Sequence, residues 1–441
     1  MTDQHWTDRS LNAVWHPCTQ MKAHEESPLL AIKNGRGVFL YDYEGNSYLD
    51  SISSWWTNLF GHANPSINQA IINQLGEVEH VMLAGMTHRP VVELSERLSA
   101  LTGHHLGRAF YGSDGASAVE IALKMSFHYW RNVGLTKKSR FVCLQNSYHG
   151  ETLGALGVTD IPLFSDTYSP LIQRPILCQS PVPLSDSVSL EEATQIAIND
   201  LKLTLAANHE EIACFILEPM IQCAAGMQMY SADYLKAARA LCSEYQVLLI
   251  ADEIAVGFGR TGKFFACEHA GIWPDLMTLS KGLTGGYLPL SVVLSTETIY
   301  QAFYQDDVRL GFLHSHSYTG NPLACTAAVA TLDLFETSKA LALVNDLANQ
   351  LSTAFEWVKV DDRLTNIRQL GSILAFDVMV NRLPQNFSRK FASLALEHGL
   401  LIRPIGNTVY VMPPYIISSS EIEFLSNVIK ICINALLKEK L

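Results

Sequence analysis

A lysine, Lys281, stands between an apolar run and a glycine-rich turn in the stretch LMTLSKGLTGG. Lysine side chains normally reach solvent, and burial of an unpaired ammonium group is costly. Either Lys281 extends to solvent from the end of a strand, or it is held inside the protein for chemistry. The preceding strand-like run, VLLIADE, ends in Asp252-Glu253, and Asp252 is a second candidate. An amine and a carboxylate thus follow two successive strand-like segments.

A candidate phosphate site precedes both residues. In GSDGASAVEIALKM (112–125), a small turn with a glycine opens directly into a helical pattern. Free N–H groups at the start of a helix, together with its positive dipole end, form an anion site that suits phosphate. An ordinary N-cap would produce the same pattern. The turn lacks GxGxxG spacing, so it does not indicate a dinucleotide-binding fold.

The strand that ends at Asp252 has two chemical interpretations. A Walker B strand of an ATPase would require a GxxxxGK[ST] loop, but the pair Gly262-Lys263 is followed by phenylalanine. Pyridoxal 5′-phosphate (PLP) requires a phosphate site, a carboxylate for its pyridine nitrogen and a lysine for its aldehyde. Asp252 and Lys281 meet the last two requirements. Tyr148, in NSYHG, would stack on the pyridine ring, although a core tyrosine is the alternative.

Continuous apolar runs, each followed by a turn and usually a helix, dominate the chain from about residue 66 to 330. They indicate parallel strands covered on both faces. The runs are RAFYGSDG, RFVCLQNSYHG, IACFILEP, VLLIADE and DLMTLSK. Ligands bind beyond the carboxyl ends of such strands. The sequence therefore predicts an α/β domain with a mostly parallel sheet, whose rim gathers the polar residues after each run.

The two ends of the chain have a different pattern. GRGVFLYDYEGNSYLD alternates around EGN, which indicates a hairpin, and the first 60 residues are predicted to form short strands and turns. After about residue 330, helical and strand-like segments suggest a smaller α+β domain. We therefore predict a large PLP-binding domain over 61–330 and a small domain formed by 1–60 and 331–441.

Composition suits a large globular enzyme, because 48% of the 441 residues are hydrophobic and 17% are charged. The net charge of −12 and the lack of a basic run argue against a nucleic-acid partner. No apolar run reaches the roughly 18 residues of a membrane span, and the polar start has no signal-peptide pattern. We therefore expect a cytoplasmic protein. The nine cysteines are scattered without zinc spacing, which predicts free thiols and no metal site.

The chain resembles the class III, fold-type-I PLP aminotransferases from about residue 9 to 435. The class motifs are LLIADEIAVGFGRTGKFFACEH and SKGLTGG. Other motifs are similar to the subfamily that aminates 8-amino-7-oxononanoate in biotin biosynthesis: WHPCTQM, SSWWTNLFGHANP, HVMLAGMTH, NSYHGET, SHSYTGNPLAC and IRPIGNTVYVMPPY. The resemblance implies S-adenosylmethionine as the amino donor. It also implies a homodimer with its active sites at the subunit interface.

Cofactor contacts are also implied by the resemblance. Lys281 becomes the lysine that binds PLP and moves the substrate proton, and Asp252 becomes the partner of the pyridine nitrogen. Tyr148 would pack near the cofactor. The implied phosphate contacts are the N–H groups of Gly115 and Ala116 and, from the second subunit, His316 and Ser317.

For the substrate, the resemblance implies contacts from Cys18, Trp55, Tyr148, Ser315 and Arg403. The planar guanidinium of Arg403 would bind the substrate carboxylate bidentately, whereas a surface arginine at a strand end is the alternative. Trp55 would line the pocket, and its neighbour Trp56 is expected in the core.

This chain departs from the family pattern at several of these positions. Cys18 stands where a tyrosine often stacks on the adenine of S-adenosylmethionine, and a cysteine cannot stack. Ala116 replaces a serine, and Glu151 replaces an aspartate. The tripeptide Ser315-His316-Ser317 replaces Gly-Pro-Thr.

Two other functions remain open from the sequence. The nearer one is a class III ω-aminotransferase that acts on ornithine, 4-aminobutyrate or β-alanine. The more distant one is a non-catalytic protein with the PLP fold. Such a protein would be expected to lack Lys281 or Asp252.

Overall fold

The computed structural model describes residues 2–25, 27, 29–183 and 187–437. The chain divides into two compact units, one formed by Met1–Asn68 with Ala342–Leu441 and the other by Gln69–Leu341. These bounds lie 8 and 11 residues after the boundaries predicted at 60 and 330. Among the described residues, no helix is long and apolar enough to cross a membrane.

The strands and helices are numbered in chain order. The strands are β1 (Ile32–Arg36), β2 (Phe39–Asp42), β3 (Ser47–Asp50), β4 (Arg108–Gly112), β5 (Arg140–Leu144), β6 (Ile176–Cys178), β7 (Ile212–Leu217), β8 (Ile221–Gln222), β9 (Gln228–Met229), β10 (Leu248–Asp252), β11 (Leu276–Leu279), β12 (Ser291–Ser295), β13 (Leu364–Leu370), β14 (Ile373–Val378), β15 (Leu400–Leu401) and β16 (Thr408–Val411). The helices are α1 (Asp3–Ala13), α2 (Ser53–Trp56), α3 (Pro65–Leu75), α4 (Arg89–Leu101), α5 (Gly115–Asn132), α6 (Leu153–Leu156), α7 (Pro162–Ser165), α8 (Leu190–Asn208), α9 (Ala232–Glu244), α10 (Glu297–Phe303), α11 (Pro322–Thr337), α12 (Ala340–Ala354), α13 (Phe387–Glu397) and α14 (Ser419–Leu436).

A seven-stranded sheet with the order β4-β12-β11-β10-β7-β5-β6 forms the centre of the large unit. Strands β11, β10, β7, β5 and β6 are mutually parallel, whereas β12 is antiparallel to both of its neighbours. Every residue of β7 and β10 is buried, as expected for strands covered on both faces. The predicted α/β class with a mostly parallel sheet is confirmed.

The small unit contains two sheets, β1-β2-β3-β15 and β13-β14-β16. Antiparallel pairing of β2 with β3 confirms the hairpin predicted around EGN. Strand β15 pairs in parallel with β3, so the two ends of the chain share one sheet. The prediction of only strands and turns in the first 60 residues is wrong, because α1 is a regular helix. Its sequence, DQHWTDRSLNA, is mostly polar and offers little apolar periodicity to detect.

A buried lysine ties three segments of the large unit together. Lys138 is only 4% exposed. Its Nζ atom donates to the backbone oxygens of His209 at 2.6 Å, Ile212 at 3.1 Å and Gln246 at 2.8 Å. The same ammonium lies 4.6 Å from the ring centroid of Trp130. Lys138 thus satisfies carbonyl groups after α8, at the start of β7 and after α9 with one cation.

Replacement of Lys138 by methionine should strongly destabilise the large unit. The Lys138→Met variant keeps an apolar chain of similar length but leaves three carbonyl groups without their donor, which we expect to cost about 3 kcal/mol or more. The measurement is the unfolding midpoint in urea. The matched control is Lys137→Met, because the neighbouring Lys137 side chain is 81% exposed. Equal midpoints for the two variants would contradict a structural role for Lys138.

Candidate active site

Asp252 and Lys281 lie at the same edge of the large sheet. Asp252 is the last residue of β10, and Lys281 follows β11 after one intervening serine. Strands β10 and β11 are parallel neighbours in which Asp252 pairs with Thr278. The carboxylate and the amine therefore leave the sheet side by side, as the sequence predicts.

The Asp252 carboxylate is oriented by three donors. Oδ2 lies 2.7 Å from Nδ1 of His149, and Oδ1 accepts from the Ile254 N–H and the Thr278 hydroxyl, both at 3.1 Å. Asp252 is 5% exposed and His149 is 3% exposed. Nε2 of His149 is buried with no hydrogen-bond partner in the part of the chain that the structure describes. An ionised Asp252 thus requires the His149 tautomer with its proton on Nδ1.

Lys281 does not end in open solvent. The residue is half-buried, and burial lowers the pKa of its ammonium group, while Asp252, Cys223 and Glu218 act in the opposite direction. Its backbone is left-handed, with φ of 42°, a conformation that costs energy for a residue with a Cβ. The glycine-rich turn after it is built around Gly285, which is also left-handed, at φ of 62°.

A second buried carboxyl group lies near this pair. Glu218 follows β7 and accepts hydrogen bonds at 3.1 Å from the backbone N–H groups of Tyr148 and Cys223. Burial raises the pKa of Glu218 to about 7; His149 opposes this change and Asp252 adds to it. Glu218 therefore connects the NSYHG turn to the end of β7.

The predicted phosphate site is the first turn of α5. The Asp114 side chain caps this helix by accepting from the Ser117 N–H at 2.9 Å. The N–H groups of Gly115 and Ala116 precede the first intrahelical donors, so they have no acceptor within the helix. Gly150 packs against this turn at a φ of +122°, and a Cβ at that position would come within 2.7 Å of the Ala116 Cβ. A glycine is required there by both space and conformation.

The other predicted cofactor contacts include His316, which lies beside this turn, and Tyr148. Nδ1 of His316 is 3.0 Å from the Ser113 hydroxyl of the same chain, and the neighbouring Ser315 and Ser317 are exposed. The Tyr148 hydroxyl donates to Glu151 at 2.9 Å. The implied contacts of His316 and Ser317 with a second subunit stay predictions.

The small unit brings three predicted substrate residues together. The guanidinium carbon of Arg403 lies 4.8 Å from the Trp55 ring centroid, and Nη2 donates to the backbone oxygen of Cys18 at 3.1 Å. Trp55 is 44% exposed, whereas Trp56 is 5% exposed and donates from Nε1 to the Tyr410 hydroxyl at 3.1 Å. Cys18 contacts Arg403 through its carbonyl group, which any residue type at position 18 could provide.

The sequence predicts that His149 and Glu218 lie at the rim of the sheet, but it indicates no functional role for either. Both follow apolar runs at the predicted rim. Their partners, Asp252 and the Tyr148 N–H, are distant in sequence, and only the strand order of the folded sheet brings them close.

The raised pKa of Glu218 predicts a dependence of stability on pH. In the folded protein this carboxyl group keeps its proton up to about pH 7, whereas its ordinary pKa is 4.5. The folded state therefore loses stability as the pH rises from about 4.5 to 7. The Glu218→Gln variant cannot titrate at this position, and its amide group weakens one of the two N–H contacts. It lacks the stabilisation that protonated Glu218 gives the unchanged protein at low pH. The variant should therefore be most destabilised, relative to the unchanged protein, at low pH. From pH 5 to 8, its stability relative to the unchanged protein should rise by up to about 3 kcal/mol.

Thermal unfolding of the cofactor-free protein at several pH values measures this trend. Glu210→Gln is the control, since the Glu210 side chain is 74% exposed. A difference between Glu218→Gln and the unchanged protein that is constant from pH 5 to 8 would refute the prediction.

Comparison with known proteins identifies the family of this chain. The chain matches the family model of class-III aminotransferases over residues 20–433. It is 46% identical over 419 residues to the adenosylmethionine-8-amino-7-oxononanoate aminotransferase of Helicobacter pylori, with 94% of each chain covered. The protein of the same name from Anoxybacillus flavithermus is 41% identical over 434 residues, which cover 95% of this chain and 94% of the relative.

Two solved structures are also similar. The crystal structure of adenosylmethionine-8-amino-7-oxononanoate aminotransferase from Methanocaldococcus jannaschii has a TM-score of 0.92 at 34% identity and covers 98% of this chain and 99% of that one. An omega transaminase from Pseudomonas jessenii in complex with PMP has a TM-score of 0.92 at 25% identity and covers 98% of both chains. The resemblance and fold type predicted from the sequence are confirmed, and the chain belongs to the class III aminotransferases.

Proposed function

We propose that this protein transfers an amino group to the ketone of 8-amino-7-oxononanoate and forms 7,8-diaminononanoate, with PLP as cofactor and S-adenosylmethionine as donor. The observation that carries the proposal is the pairing of an oriented, buried Asp252 with Lys281 at adjacent strand ends. The choice of substrate is supported by the names of the H. pylori and A. flavithermus relatives, which match almost the whole chain. The biotin pathway, the cytoplasm and a homodimer with shared active sites belong to the same proposal.

The residues of the large unit fit PLP. The first N–H groups of α5, at Gly115 and Ala116, suit a phosphate, and Asp252 presents a carboxylate that three donors hold in place. No described residue pairs with Nε2 of the buried His149, which leaves hydrogen-bonding capacity beside Asp252. When bound, PLP supplies an electron sink for the substrate carbon that loses its proton.

Each of these residues has a distinct task. Asp252 holds a proton on the pyridine nitrogen by its negative charge, and His149 keeps Asp252 in the required orientation. The Nζ atom of Lys281 removes the proton from the carbon that carries the transferred amino group. Burial lowers the pKa of Lys281 and so favours the neutral amine that a general base requires.

Arg403 and Trp55 suit a substrate that combines a carboxylate with an apolar chain. The exposed guanidinium of Arg403 can donate two parallel N–H groups to a carboxylate, and the indole of Trp55 offers an apolar face. Cys18 offers no ring for an adenine, so the donor is the part of the proposal that requires its own test.

An absorbance titration tests both half-reactions. The purified protein, loaded with PLP, is titrated first with S-adenosylmethionine alone and then with 8-amino-7-oxononanoate. We expect S-adenosylmethionine to replace the visible band of the lysine-bound cofactor with that of the aminated cofactor, and 8-amino-7-oxononanoate to restore it. Lys281→Ala, as the control, should show neither change and no turnover.

The other outcomes separate the alternatives. No response to S-adenosylmethionine, but conversion by lysine or another amine, would reject the donor and keep the aminotransferase. Conversion by ornithine, 4-aminobutyrate or β-alanine without any use of 8-amino-7-oxononanoate would favour another ω-aminotransferase, a possibility that the likeness to the P. jessenii enzyme supports. Full turnover by Lys281→Ala would overturn the role of Lys281.

Loss of the Arg403 guanidinium should weaken acceptor binding. Arg403→Ala removes charge-assisted hydrogen bonds to the carboxylate, so we expect the KM for 8-amino-7-oxononanoate to rise about 10- to 100-fold. Arg403→Lys should recover only part of this, because an ammonium cannot bind bidentately. Arg382→Ala is the matched control, since Arg382 is exposed and pairs weakly with Asp362 at 3.8 Å. An unchanged KM in Arg403→Ala would remove Arg403 from the site.

A further inference from the structure

Four successive residues of the small unit, Ser53 to Trp56, adopt the left-handed conformation. Their φ angles are 51°, 46°, 70° and 72°, and none of them is glycine. A left-handed residue with a Cβ costs roughly 1–2 kcal/mol, so a run of four persists only if the surrounding structure holds it in place. Such strain commonly accompanies a functional requirement.

A buried carboxylate holds the start of this turn. Asp50 is 0% exposed and ends β3. Its Oδ2 accepts from the Ser54 hydroxyl at 2.7 Å and lies 3.0 Å from Nε2 of His62, while its Oδ1 accepts from the Ile52 N–H at 3.4 Å. The Ser54 hydroxyl is therefore fixed by a carboxylate that the fold has removed from water.

The direction of the contact from His62 follows from its neighbours. The Gly61 N–H donates to Oδ1 of Asn58 at 2.7 Å, so the amide nitrogen of Asn58 faces Nδ1 of His62 at 3.1 Å. Because that amide group can only donate, Nδ1 accepts and the His62 proton lies on Nε2, which points to Asp50. The network is thus ordered from Gly61 to Asp50.

The first and last residues of the turn, Ser53 and Trp56, are anchored to the segment around β16. The Ser53 hydroxyl donates to the Met412 carbonyl at 2.7 Å, and Nε1 of Trp56 donates to the Tyr410 hydroxyl at 3.1 Å. Trp56 is buried, and Trp55 is left on the surface against the face of Arg403. The Trp55 ring and the Cys18 carbonyl together restrain the plane of the guanidinium.

We propose that Asp50 and Ser54 are positioning residues that set the preference for acceptors with a carboxylate. They hold the strained turn, the turn holds Trp55 against Arg403, and Arg403 then meets a carboxylate with its N–H edge. Neither Asp50 nor Ser54 contacts the substrate. This inference rests on the proposed function and deepens it.

Ser54 offers the sharpest test, because the residue is exposed and its variants should fold. The KM and kcat are measured with 8-amino-7-oxononanoate and with 2-aminononan-3-one, the analogue in which a methyl group replaces the terminal carboxylate. Ser54→Ala loses the bond to Asp50 but keeps the conformational cost of a Cβ. We expect it to raise the KM of the carboxylate substrate about 5- to 10-fold, with little change in kcat or in the KM of the analogue.

Four further variants separate positioning from general damage. Ser54→Gly also loses the bond but adopts the left-handed conformation freely, so its KM should rise less than that of Ser54→Ala. Ser66→Ala, in an exposed position of the same unit, is the control and should change neither KM. The His62→Gln variant can still donate to Asp50. Its preference for the carboxylate substrate over the analogue, measured by the two KM values, should therefore be greater than that of His62→Leu.

The outcomes distinguish this inference from the proposed function. Failure of the unchanged protein to use 8-amino-7-oxononanoate would reject the proposed function. Turnover by the unchanged protein, combined with equal KM changes for both acceptors or no change in Ser54→Ala, would reject the positioning role. A KM increase confined to the carboxylate substrate would support it.

Discussion

The candidate active site of the large unit depends on one buried carboxylate group, Asp252, which hydrogen bonds hold in a fixed orientation. Asp252 leaves the sheet beside β11, and the register of β10 with β11 places Thr278 and then Lys281 next to it. Burial makes each of these contacts stronger than it would be in water, and it would make an unmatched charge costly. His149, Thr278 and the Ile254 N–H supply the hydrogen bonds that this buried carboxylate requires.

The same burial creates a conflict between stability and chemistry. Lys281 has a lowered pKa and Glu218 a raised one, so both groups resist the charge that they would carry in water. Lys281 also sits on left-handed backbone, as do the residues from Ser53 to Trp56 in the small unit. Functional sites commonly store such strain, which persists only where the surrounding structure holds the backbone in place.

The sequence predicts the parallel strands well because each is a continuous apolar run with a polar residue at its end. It misses β12, since SVVLS is short and its direction depends on a connection from β11 that is too short for a crossover helix. The polar helix α1 has no apolar stripe that would reveal it. The left-handed turn at Trp55 contains no glycine, and its anchors, Met412 and Tyr410, lie in the last part of the chain. These features are set by contacts between distant segments, which local patterns cannot encode.

The parallel pairing of β15 with β3 has a consequence for biosynthesis. Leu49 and Leu400 are partners in this sheet, so the small unit contains contacts between the beginning and the end of the chain. The large unit is one continuous segment, Gln69–Leu341, and can form its own contacts as it leaves the ribosome. The N-terminal strands must wait, partly unpaired, until the C-terminal segment emerges. During that interval the edge of β3 that later pairs with β15 lacks its partner strand, and unpaired strand edges favour aggregation.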